Sequence, residues 1–222
     1  MTNRLLNDIL EKNDYSLKNL FSKEIYGYIT HGKFQNEHNK ILKTSYYFLL
    51  PNKVKIKVHS SDGFVYQEGF DGKNAWEMNK FVSGKAYKSL RNGAEFPNPI
   101  KSLKDVSISG FKIDYLGLEK LENEKYHKIS FMIEPQKFRY YFLDQETYLP
   151  VRARDQRPLH PSEKTRNMET LFTNYKKFEG VKMPCRVIER DIDTLEELFI
   201  LEWIEFEINP KFQEYDFKIL QN

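Results

Sequence analysis

The sequence predicts a mainly β protein built on antiparallel strands, and three observations carry that expectation. Aromatic residues make up 15% of the 222 residues, with 17 Phe and 14 Tyr, and such side chains suit a pleated, half-buried surface. From Ile25 onward, short runs alternate apolar with polar residues, the period of a strand with one buried face. Turn pairs such as Asp-Gly and Glu-Gly separate these runs at intervals of roughly ten residues, with no βαβ alternation, which points to a sandwich or barrel.

The elements follow in order. Residues 1–24 form the helical segment: Leu5, Leu6, Ile9 and Leu10 share one face at helical spacing. Ser16 is placed to cap a second set of turns carrying Leu17, Leu20 and Phe21. A helix of this amphipathic kind needs a surface to lie on, here the core. "KVKIKVHSS" sets Val54, Ile56 and Val58 against Lys53, Lys55 and Lys57, a half-buried strand. After the turn "SSDGF" and the run "FVYQEGF" comes "DGKNAWEMN", Asp71 to Asn79. Glycine takes positive φ at no steric cost and aspartate bonds nearby backbone, so Asp71 and Gly72 form a tight turn. Ala75 and Glu77 then alternate with Trp76 and Met78. Phe111, Ile113 and Tyr115 mark the next strand, and Ile129, Phe131 and Ile133 share a face beyond the turn "ENEK". "KFRYYFLDQETYLPVRARDQ" and "LFTNYKKFEGVKMPCRVIERD" each read as strand, turn, strand, and "EELFILEWIEFEINP" as a last strong strand. The expected count is nine to eleven strands. Ser89 to Asp105, with prolines and a glycine, reads as a loop with a short helix, and Arg154 to Asn167 as a charged, proline-punctuated connection. Strands of like character flank both, so a single domain over residues 1–222 is expected.

Charge narrows the function. Thirty-five basic against 32 acidic residues leave +3, so nucleic acid, which calls for a concentrated basic excess, is not an implied partner. The lone Cys185 excludes an internal disulfide and a multi-cysteine metal site, and reads as a small buried residue. No apolar run reaches the length of about 18 residues that a membrane-spanning helix needs. The start "MTNRLLNDILEKNDY" is too polar for a secretory signal, so a soluble monomer without an export segment is expected.

Catalytic patterns are missing. His31, His38, His59, His127 and His160 lie apart with no zinc-type spacing, and neither a nucleophile elbow nor a phosphate-cradling glycine loop occurs. Carboxylates cluster at turns and on solvent faces. The sequence therefore predicts no catalytic residue, no cofactor and no metal. Arg152, Arg154, Arg157, Lys164 and Arg166 form a dense basic group, suited to anionic head groups or an acidic partner, or simply to a solvated strand end.

The informative feature is apolar. A curved antiparallel sheet wrapped round a helix can leave an apolar cavity between them. Trp76, Met78, Val54, Ile56, Val58, Phe131 and Ile133 are the candidates to line it. The competing reading is that the helix fills the space and nothing else binds.

Five stretches in the same order carry a resemblance: "DGKNAWEMN", "IDYLGLEKLENEKYHKISF", "YYFLDQETYLPVR", "NYKKFEGVKMP" and "IEFEINPKFQEYDF". Over roughly residues 25–220 the chain resembles the outer-membrane lipoprotein-sorting (LolA-like) proteins. The resemblance implies one curved antiparallel sheet forming an unclosed half-barrel, with an N-terminal helix and a short helix on its concave side. It implies a hollow for a lipid or lipoprotein acyl chain, residence in the periplasm and no enzymatic activity, with Trp76 in the wall. Relatives with this fold include regulators, so a regulatory or scaffolding module contacting an envelope protein is the second reading, and a hydrolase the third.

Overall fold

The computed structural model describes residues 2–18, 24–36, 38, 40–98, 100–158 and 164–219. In chain order, helix α1 (Thr2–Lys18) precedes β1 (Gly27–Gln35), β2 (Ile41–Leu49), β3 (Lys53–His59), β4 (Val65–Phe70), β5 (Ala75–Glu77) and β6 (Lys80–Val82). Helices α2 (Gly84–Glu95) and α3 (Leu103–Ile108) come next, then β7 (Ile113–Leu121), β8 (Glu124–Glu134), β9 (Lys137–Asp144) and β10 (Pro150–Arg157). Strands β11 (Arg166–Phe178), β12 (Val181–Asp191) and β13 (Glu197–Ile208) lead to a 3-10 turn, Glu214–Phe217. The strands form one 13-stranded antiparallel sheet in the order β6-β5-β4-β3-β2-β1-β13-β12-β11-β10-β9-β8-β7, and the sheet is not closed into a barrel. The chain divides into two compact units, Met1–Ser22 with Pro97–Leu198, and Lys23–Phe96 with Phe199–Asn222.

The strand count exceeds the nine to eleven expected; β6, only three residues long, is too short for a period to show. The Asp71–Gly72 turn forms as expected. Gly72 sits at φ +96, the Asp71 carboxylate accepts from the backbone N–H groups of Lys73 (2.9 Å) and Asn74 (2.7 Å), and the Asp71 N–H bonds to the Asn74 carbonyl. The proline-rich stretch after β6 holds two helices rather than one. Ser102 and Asp105 close a capping box on α3, each side chain accepting from the other's backbone N–H.

In the first unit α1 packs against α3, β7 and β12. Its buried stripe is Ile9, Leu10, Asn13 and Leu17, whereas Leu5 is exposed. Ser16 lies inside one continuous helix and caps nothing; Leu20 and Phe21 fall outside the described residues. Asn13 ties the helix down: its amide donates to the Tyr148 carbonyl (2.9 Å) and accepts from the Leu103 N–H (3.1 Å). Arg154 to Arg157 belong to β10 and Arg166 begins β11, so both ends of the expected connection are strand, and residues 159–163 between them fall outside the described residues. At the sheet's end, β7 carries a bulge between Tyr115 and Gly117, where Gly117 takes φ +100.

In the second unit α2 packs on β3, β4 and β5. The paired row Phe48, Val54, Phe70 and Ala75 is buried on one face. Phe70 meets the Tyr87 ring of α2 edge-on at 5.9 Å, which places α2 on that same face.

Candidate functional site

Register decides which of the predicted lining residues meet. Successive rows of a sheet point to opposite faces. Val54 stands opposite Phe70, which stands opposite Ala75, while the adjoining row runs Lys55, Gly69, Trp76. Val54, Ile56 and Val58 therefore share the α2 face, and Trp76 points to the other side. Met78 lies beyond the end of β5 in a left-handed turn (φ +53), its N–H bonded to the Gln67 carbonyl at 2.7 Å. Phe131 and Ile133 belong to the first unit; Phe131 is fully buried with its ring 5.0 Å from Phe111, and Ile133 is half-buried near a bulge at the end of β8. Within the second unit, Trp76 thus does not share a face with Val54, Ile56 and Val58. Trp76 parts from Val54 because alternation fixes faces only within one strand, and register decides how the faces of neighbouring strands correspond.

Trp76 is 1% exposed and occupied by the protein itself. Its indole N–H donates to the Phe217 carbonyl at 2.8 Å, which seats the C-terminal 3-10 turn on this face. A Cβ on Gly69 would lie 2.6 Å from the Trp76 ring and 2.7 Å from the Val54 carbonyl, so only glycine lets the indole cross the sheet here. The Lys55 ammonium donates to the Asp216 carbonyl and lies 4.6 Å from the Tyr47 ring, completing the clamp. Burial lowers the Lys55 ammonium below its usual range.

The α2 face changes character along β3. Val54 is buried, but Ile56 and Val58 are half-buried, and beside them stand half-buried Tyr46 and Trp203, whose rings meet edge-on at 6.4 Å. Next in the Ile56 row come Glu68 and, directly opposite it, Glu77. The Tyr66 hydroxyl lies 2.9 Å from Glu68 and 2.7 Å from Glu77, within reach of donating to either. Burial pushes the Glu68 carboxyl up, the Glu77 charge adds to this, and the Tyr66 bond only partly opposes it. Sequence reading missed this acid pair; its only signal was polar residues at inward positions of two apolar strands.

One prediction arises here. For an acid whose folded pKa lies above the unfolded value, stability is lost as pH rises past the unfolded value. Glu68→Gln removes that loss and the cross-strand repulsion, while Tyr66 keeps an acceptor. We expect thermal denaturation at pH 7 to show a gain of roughly 0.5–1 kcal/mol that vanishes below about pH 4. A destabilised variant at pH 7 would refute it.

Among the described residues no group of three or more His, Cys, Asp or Glu is placed to hold a metal. Cys185 is buried, and burial pushes its thiol up, away from the reactive thiolate. His127 stacks on Tyr148 at 5.3 Å, and His160 falls outside the described residues. Among the described residues no helix is long and apolar enough to cross a membrane.

No protein-family model matches the sequence, and no curated protein matches it. Solved structures do match. A LolA superfamily protein from Nitrosomonas europaea is similar over 96% of each chain, with TM-score 0.62 and 12% identity. A protein described as an outer membrane lipoprotein-sorting protein domain from Vibrio parahaemolyticus matches over 98% of this chain and 96% of its own, with TM-score 0.55 and 12% identity. A DUF1329 family protein from Desulfovibrio piger matches over 97% and 96%, with TM-score 0.54 and 11% identity. At these identities the likeness is one of fold. The fold of this chain, an open antiparallel sheet with few helices, is that of the LolA-like lipoprotein-sorting proteins.

Proposed function

We propose that this chain is a non-enzymatic carrier of an apolar ligand, a lipid or lipoprotein acyl chain, working as a monomer in the periplasm of the bacterial envelope. The observation that carries this reading is the strip Tyr46, Ile56, Val58 and Trp203, which shares the α2 face with a fully buried row yet stays half-buried itself. The likeness to lipoprotein-sorting structures supports the same reading. Each methylene laid on such a strip contributes about 0.8 kcal/mol, so a partly inserted chain suffices for useful affinity. Trp76, assigned to the wall by sequence, holds the C-terminal turn instead and has no direct part in this reading.

Native mass spectrometry together with a fluorescent acyl probe tests it. The purified protein should carry lipid or take up the probe, with displacement by fatty acid. Ile56→Asp sets a charge on the strip and should weaken probe binding at least tenfold, because an unpaired buried carboxylate costs several kcal/mol. A clean unliganded mass with no probe uptake at high micromolar concentration would sink the carrier reading in favour of a module acting through protein contacts.

A further inference from the structure

The dense basic group seen in sequence separates when the strands form. Arg157 turns to one face of the first unit, beside Asp155 (3.1 Å) and Glu189 (3.0 Å). Arg152 and Arg154 turn to the other and meet Arg190 of β12 around a single carboxylate, Glu169, which is 1% exposed. Arg152 Nη1 (3.2 Å) and Arg154 Nε (2.8 Å) share one oxygen, and Arg190 Nε (2.7 Å) and Nη2 (2.5 Å) hold the other. Three guanidiniums on one carboxylate leave excess positive charge on the sheet. Glu122, in a direct ion pair 3.5 Å from Arg152, balances part of it, weakly because its side chain is exposed to solvent.

The excess is presented outward. Arg154 is tied through Nε, and its two Nη groups have no hydrogen-bond partner among the described residues while its side chain is 30% exposed. That leaves the fork of a planar guanidinium already oriented, the geometry that takes a phosphate or carboxylate through two parallel bonds. Aromatic rings lie under the cations: Phe142 is 5.5 Å from Arg154, Tyr126 is 5.7 Å from Arg152, and Tyr140 is 4.9 Å from the Lys128 ammonium. Lys128 itself is balanced by Glu119 at 2.5 Å. Arg190 alternates with the buried row Val181, Met183 and Cys185 of β12, so the cluster occupies the opposite face.

We infer that this face of β9 to β12 docks on a bilayer surface through the phosphates of anionic phospholipids, with the part-exposed Arg154 and Arg190 as the contacts and buried Arg152 helping to hold Glu169 between them. The cations rise from β10 and β12 of one sheet face and are gathered on Glu169, so they present a charged surface at the level of the sheet, which suits a plane of phosphates better than one soluble ion. Half-buried Tyr140 lies beside Lys128, and buried Phe142 and Tyr126 form an aromatic floor beneath Arg154 and Arg152, an arrangement suited to a membrane–water interface. The inference does not depend on what the α2 face holds.

Vesicle co-sedimentation of the whole chain tests it, using pure phosphatidylcholine against an equal mixture with phosphatidylglycerol. The wild type should sediment with the mixed vesicles only, and less at high salt. Arg154→Gln with Arg190→Gln should lower the partition coefficient by about tenfold to thirtyfold, on the scale of basic residues at an anionic surface. Lys80→Gln with Lys85→Gln, which removes the same charge from the second unit, should leave it unchanged. Because the arginine variant also disturbs Glu169, hydrogen exchange on the wild type supplies a second readout: mixed vesicles should slow exchange in β10 to β12 and not in β1 to β4. Equal loss in both double variants, or protection only in β1 to β4, would overturn the inference. So would binding of inorganic phosphate or poly-glutamate that needs the same arginines without any vesicle binding.

Discussion

Trp76→Ala is expected to lower the free energy of unfolding by about 4 kcal/mol, within the ~3–5 kcal/mol range for truncating a buried large aromatic. Two losses combine. The indole is 1% exposed and fills the space between Gly69 and the C-terminal turn, so its removal leaves a cavity. The Phe217 carbonyl, itself within a fully buried residue, also loses its donor. Trp76→Phe isolates the second term: most of the volume stays, and the stranded carbonyl costs about 1–3 kcal/mol. Urea unfolding followed by Trp203 fluorescence measures both, since Trp203 reports on the same unit. Acyl-probe binding per folded molecule should be unchanged in Trp76→Phe, because this side chain lies on the face away from Ile56 and Val58. Weakened binding with unchanged stability would mean that Trp76 faces the ligand after all.

Glu169→Gln is expected to cost about 3–5 kcal/mol, the range for removing one partner of a buried ion pair. Three guanidiniums would then face one another with only a neutral amide between them. Burial alone would push the Glu169 carboxyl up, but the bonds from Arg154 and Arg190 and the charge of Arg152 outweigh it and hold it below the usual range. For an acid with a depressed folded value, the stability is present above the unfolded pKa, about 4.5, and is lost as pH falls through the folded value. The wild type should therefore lose stability on acidification below about pH 4.5, and the variant should lack that component of the slope. Thermal melts of both proteins between pH 3 and pH 7 measure the difference. Parallel pH profiles would show that Glu169 is not the linked group.

What could be read from the chain depended on how local its cause was. Asp71 and Gly72 form their turn with bonds inside four residues, so the turn was legible in full. Val54, Ile56 and Val58 share a face because period two is a property of one strand. Trp76 was legible as a strand residue and illegible as to face, since that depends on pairing with Gly69 and on a C-terminal turn 141 residues away. Met78 was misread because β5 ends one residue before it, and its left-handed backbone breaks the alternation. The Glu169 cluster left only half a signal: Arg152 and Arg154 stood out, but Arg190 joins them across two strand pairings. Glu68 and Glu77 face each other only once β4 and β5 are in register.

The bulge in β7 has a consequence for the protein's behaviour at high concentration. A terminal strand of nine residues, with Leu116 and Leu118 exposed, would offer a second chain a straight row of free N–H and C=O groups on which to grow a fibril. Between Tyr115 and Gly117 the bulge breaks that row and turns the strand, leaving no straight run longer than about five residues for a foreign strand to match. At the other end of the sheet, β6 stops after three residues and carries Lys80, too short and too charged to seed anything. Each margin of this open sheet is thus a poor template for a foreign strand, although the sheet does not close on itself.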